Sequence, residues 1–111
     1  MNNPTEQQPR TLEEAEAIVE LFDSVERLKK NPDFVKVFET HLFTNEVIRL
    51  HGLLAHPDQV MIDSRDRIIG DLDALSNVKF ALQMIRTIGS PVKEQLEEYR
   101  IAQAQELEGE V

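Results

Sequence analysis

Three histidines, His41, His51 and His56, are the residues best suited to metal binding. A helical zinc pair needs imidazoles three or four residues apart. Here the gaps are ten and five, so His51 and His56 do not share a helix face. They read as ordinary histidines at the surface or the core edge, and no metal is expected. Carboxylates are the next candidates. Asp71 and Asp73 are two apart and point apart on a helix. Glu94 with Glu97 or Glu98, and Asp63 with Asp66, do have helical spacing. A paired-carboxylate enzyme needs burial to raise one pKa, and in so acidic a chain such pairs read as a solvated face. Ser24, Ser64, Ser76 and Ser90 have no patterned partner. No phosphate loop, nucleophile elbow or dinucleotide fingerprint is present. The chain has no cysteine, which excludes disulfides, thiolate metal sites and Cys nucleophiles. The expectation is a protein without catalytic residues and without cofactors.

The elements that would position any site are helical. Within Ser64–Ile88, apolar residues fall at Ile68, Leu72, Leu75, Leu82 and Ile85, with Val78 beside them. That is one face of an amphipathic helix. Gly89-Ser90-Pro91 follows as its expected end: Gly closes one helix, Ser caps the next and Pro opens it. Gly70 costs about 1 kcal/mol against Ala in such a helix, and a close approach by another helix would explain it. The last helix carries Val92, Leu96, Tyr99 and Ala102, with Lys93 and Glu97 as an i,i+4 pair.

Upstream, Thr11 and Glu14 form a capping box. Ile18, Leu21, Val25 and Leu28 make the stripe of the first helix, widened by Phe22. No basic residue occurs from Thr11 to Glu26, whereas Arg27, Lys29 and Lys30 close the helix, a polarity that suits its dipole. Asn31-Pro32-Asp33 starts the second helix. It runs through Phe34, Val35, Phe38, Leu42, Val47, Leu50 and Leu54, with a kink or break predicted near Thr44. Val37, Phe43, Ile48 and Leu53 lie off its main stripe, so it is apolar on more than one side. His56-Pro57-Asp58 ends it. Val60, Met61 and Ile62 read as an extra turn or a packed loop.

The fold class is therefore all-α: four main helices in a small bundle or in two packed hairpins. Residues 1–10 are expected to be a flexible arm, 11–105 a single helical domain and 106–111 an acidic tail.

Net charge is −9 over 111 residues. That argues against a general nucleic-acid surface. Arg27, Lys29 and Lys30 cluster locally, as do Arg65 and Arg67, but the turn from Leu50 to Arg67 lacks a basic recognition helix. No apolar run reaches the roughly 20 residues of a membrane span, and Met1 to Arg10 lacks the features of a signal peptide. The expectation is a cytoplasmic, reducing location.

Asn31-Pro32-Asp33-Phe34, Glu46 with Arg49-Leu50 and Leu53-Leu54, and Leu72-Asp73-Ala74-Leu75 cover about half the chain. In these features it resembles small acidic all-helical proteins encoded by tailed bacteriophages. The resemblance implies a virion or head-assembly role, with virion association, or a host-takeover factor that binds one host protein. It assigns no residue a function.

Two functions compete. One is a non-catalytic protein-binding or assembly module, a homo-oligomer or bound to a partner, with Phe34, Phe38, Phe43, Ile48 and Leu53 as its interface. The other is an acidic decoy that inhibits a nucleic-acid-binding protein by occupying its basic groove, using Glu13, Glu16, Glu20 and Asp23. Neither involves direct nucleic-acid or membrane binding.

Overall fold

The computed structural model describes residues 9–56 and 63–109. Met1–Gln8, most of the expected arm, and Val60-Met61-Ile62 lie outside the described residues. The described residues are helical throughout apart from short turns, with no strand among them. Helix α1 spans Leu12–Lys30. Asn31 alone separates it from α2, Pro32–Phe34, which passes into a π-helix at Val35–Glu46 and then into α3, Val47–Leu54. Helix α4 runs from Arg65 to Gly109.

Local chemistry explains the starts. Glu14 N–H donates to Thr11 Oγ1 at 3.1 Å, as a cap requires. The Glu14 carboxylate accepts instead from Arg10 N–H, at 2.8 Å, one residue before the position a capping box specifies. Asn31, with extended φ −77° and ψ 121°, accepts from Asp33 N–H and Phe34 N–H through its side chain. Its own N–H donates to Leu28 O at 3.0 Å. One residue therefore both ends α1 and caps α2. Helix α3 stops at Leu54, two residues short of the residue before Pro57.

Two expected interruptions are absent. No break occurs near Thr44: backbone angles at both ends of the π-helix are right-handed helical. The Thr44 hydroxyl donates to Glu39 O at 2.8 Å, a carbonyl five residues back that matches the wider π-helical ring. Gly89 does not end a helix either. It has no positive φ, and α4 continues through Pro91 to Gly109, so the expected third and fourth helices are one. Among the described residues the four-helix count gives way to three helical stretches, and Glu106 and Glu108 are exposed helical residues.

The reason lies in packing. A Cβ on Gly89 would stand 2.5 Å from Phe22 Cβ, so the missing side chain admits the phenylalanine. Val92 and Leu96, just beyond Pro91, are buried. That burial offsets the roughly 3 kcal/mol a proline costs inside a helix.

The residues group into two compact units, one drawn from Met1–Glu26 with Gln83–Val111, the other Arg27–Leu82. In unit 1, Val25, Val92 and Leu96 are buried. Three ion pairs tie α1 to α4: Glu26–Arg86, Asp23–Lys93 and Glu16–Arg100. As one index rises the other falls, so the two helices are antiparallel. In unit 2, Leu50 and Ile68 are buried, while Leu72, Leu75 and Leu82 are half-buried.

Gly70 has nothing within 4 Å of a Cβ built on it, so no helix approaches it closely, contrary to the sequence expectation. The two glycines should therefore respond oppositely to alanine. Gly70→Ala is expected to stabilise by about 0.5–1 kcal/mol, through helix propensity alone. Gly89→Ala is expected to destabilise by about 1–3 kcal/mol through overpacking. Urea denaturation of the two variants checks both signs.

Candidate functional site

The π-helix positions the aromatic candidates. Phe34 and Phe38 stack with ring centroids 4.9 Å apart and planes at 21°. Phe38 and Phe43 follow at 6.2 Å, tilted by 57°. The steps are four and five residues. On an α-helix a step of five turns the second side chain well away from the first. A π-helix closes its hydrogen bonds at i→i+5, which brings Phe43 back into line. Sequence reasoning placed Phe43 off the stripe because it counted in α-helical steps; a run of steps of four, five and four, from Phe34 to Phe38, Phe43 and Val47, is the signal that carried the answer.

Offset or tilted ring pairs add about 0.5–1.5 kcal/mol each beyond the area they bury. All three rings are half-buried. Of the other interface candidates, Ile48 is 66% exposed and Leu53 is half-buried. Beside the row, Arg49 grips the Glu46 carboxylate with two hydrogen bonds of 2.9 Å. The Arg49 guanidinium holds the Glu46 pKa below the usual carboxylate value. Lys29 lies 3.8 Å from Glu39 of the π-helix.

The acidic candidates divide. Asp23 accepts a 2.7 Å hydrogen bond from Lys93, and Glu16 faces Arg100 at 3.9 Å. Glu13 and Glu20 are exposed. Lys93 is therefore committed across the helix pair, and Glu97, its expected i,i+4 partner, adds only a lesser field. The Lys93 ammonium also stands 5.7 Å over the Phe22 ring, a cation–π distance. The hydrogen bond that Lys93 donates to Asp23, opposed by partial desolvation and helped by the charges of Asp23, Glu97 and Glu26, raises the Lys93 pKa.

Charge is unevenly shared between the units. Residues 27–82 hold eight Lys or Arg and eight Asp or Glu. The remaining residues hold four and thirteen, so the whole net charge of −9 belongs to unit 1. Where Arg10 and Leu12 meet Val92, Leu96 and Tyr99, unit 1 has a hollow of about 340 Å³. The Tyr99 hydroxyl there already accepts from Gln103 at 2.8 Å. Among the described residues no three His, Cys, Asp or Glu side chains could jointly hold a metal ion. Among them, no helix is long and apolar enough to cross a membrane. Comparison with protein-family models, curated proteins and solved structures finds no significant match to this chain.

The Lys93 shift has a defined sign. A raised lysine pKa stabilises the fold below the ordinary lysine value of 10.5, and that contribution is lost as pH rises through the folded value. Titrating the Lys93 side chain by NMR should give a pKa above 10.5 in the native chain, falling toward 10.5 in Asp23→Asn. An unchanged value in the variant would remove Asp23 as the cause. The Glu26–Arg86 pair is checked separately by exchange: Glu26→Arg should destabilise, and adding Arg86→Glu should restore part of the loss in a double-mutant cycle.

Proposed function

We propose that this chain is a non-catalytic protein-binding or assembly module whose contact surface is built on the row of Phe34, Phe38 and Phe43, with Ile48 and Leu53 further along the same helical stretch as additional contact residues. The alignment of Phe34, Phe38 and Phe43 into one row carries the reading. Three rings in line offer a large, rigid apolar anchor of the kind that dominates binding energy at interfaces. π-Helical segments are rare and concentrate at functional sites, and this one holds the row together. Val37 and Ile48 lie on the same stretch and are exposed, so apolar surface there remains unspent. A virion, head-assembly or host-takeover setting is what the phage resemblance adds.

The acidic-decoy reading draws on the concentration of the −9 charge in unit 1. The ion pairs of Glu16 and Asp23 with α4 leave Glu13 and Glu20 to carry it. It requires binding that falls steeply with salt, whereas an apolar row requires binding that does not. Phe43→Ala should weaken association, read as mass by light scattering, by about tenfold or more, with a smaller effect on thermal unfolding. Equal loss of association and of folding would count against the row as a contact surface.

A further inference from the structure

Resting on that reading, we infer that the π-helix Val35–Glu46 is a register switch for the contact surface: π winding puts Phe43 in the row, and α winding replaces it with Leu42. The chain supplies a partner for each winding. Counting from Phe38, Leu42 lies four residues on and Phe43 five. A step of four aligns side chains on an α-helix, and a step of five aligns them where hydrogen bonds close at i→i+5. At about 100° per residue, α winding turns Phe43 about 140° from Phe38 and brings Leu42 into line instead. Phe34 and Phe38, four apart, remain neighbours in α winding. Leu42 and Phe43 are both half-buried, so each is available to complete the row.

The second observation is how lightly the wide turn is held. π winding ordinarily occurs as single turns inside α-helices, whereas this segment runs for 12 residues. None of them is buried, so no core contact of their own enforces the wide turn. Phe34 and Val47, at its two ends, have α-helical angles, and α winding can grow in from α2 or α3 without a break. Two local contacts favour the π register: the Phe38–Phe43 ring pair at 6.2 Å and the bond from the Thr44 hydroxyl to Glu39 O at 2.8 Å. Beyond the segment, Leu50 of α3 is buried. Rewinding turns α3 about its axis and moves Leu50 from that position, which makes π the ground register and α the minor one. A partner that grips three rings selects the π register, and its affinity depends on how much of the chain is in it.

The test is the winding of the full chain, read by NMR. In the wild type, Hα-to-amide contacts across Val35–Glu46 should run from i to i+5, with contacts between the Phe38 and Phe43 rings. Relaxation dispersion should show a second state of up to about 10% there and in α3. Phe43→Ala removes the ring that the wide turn aligns. Contacts from i to i+4 should then predominate, with the Phe38 ring against the Leu42 methyls. Leu42→Ala removes the α-register partner. Its i to i+5 contacts should stay, and the second state should fall by about tenfold or more. Circular dichroism should show helix content retained in both. A wild type with no second state would overturn the switch, as would Phe43→Ala that keeps i to i+5 contacts or loses helix altogether, or Leu42→Ala that becomes α-wound. An intact switch in a chain that binds nothing through Phe43 would overturn the contact-surface reading alone.

Discussion

The contact between Gly89 and Phe22 fixes the relation of the two helices of unit 1. The ion pairs cannot do so alone. Arg86, Lys93 and Arg100 recur every seven residues along α4, and Glu16 and Asp23 are likewise seven apart. Sliding one helix past the other by seven residues would set Glu16 against Lys93 and leave Arg86 near Asp23. What such a slip cannot reproduce is a position without a Cβ opposite Phe22: seven residues either side of Gly89 the chain has Leu82 and Leu96. Close packing, unlike exposed ion pairing, discriminates at the scale of one methyl group. Burial of Val25, Val92 and Leu96 then follows from the register the glycine sets.

That same contact explains why one stop signal failed. Gly-Ser-Pro is written like a helix boundary, and in isolation each residue favours one. The glycine is used for proximity rather than for a left-handed turn, and the buried residues after Pro91 hold the helix through the lost hydrogen bond. Tertiary packing overrode a local preference that the sequence states clearly.

Elsewhere the sequence was a good guide, in proportion to how local the physics is. The caps at Thr11 and Asn31 could be read directly, because each depends on residues within one turn. The α1 stripe was partly right: Val25 is buried and Ile18 and Phe22 are half-buried, but Leu21 and Leu28 remain exposed. Periodicity says which face is apolar, not how much of it finds a partner. Of the candidate site, Phe34 and Phe38 were legible as neighbours at a step of four. Phe43 was not, because its place depends on a helix type that α-helical counting does not include. Glu16 and Asp23 looked free because their partners lie at Arg100 and Lys93, far along the chain.

The π-helix has a further consequence, for changes of length. Along α4, inserting one residue between Arg86 and Lys93 would rotate everything beyond it by about 100° and carry Lys93 away from Asp23. Between Phe38 and Phe43 the arithmetic differs. Removing one residue leaves a step of four, and an ordinary α-helix then keeps the three rings in a row. The chain should thus be intolerant of single-residue insertions in the helix pair of unit 1, yet able to lose one within residues 39–42 and keep its aromatic surface.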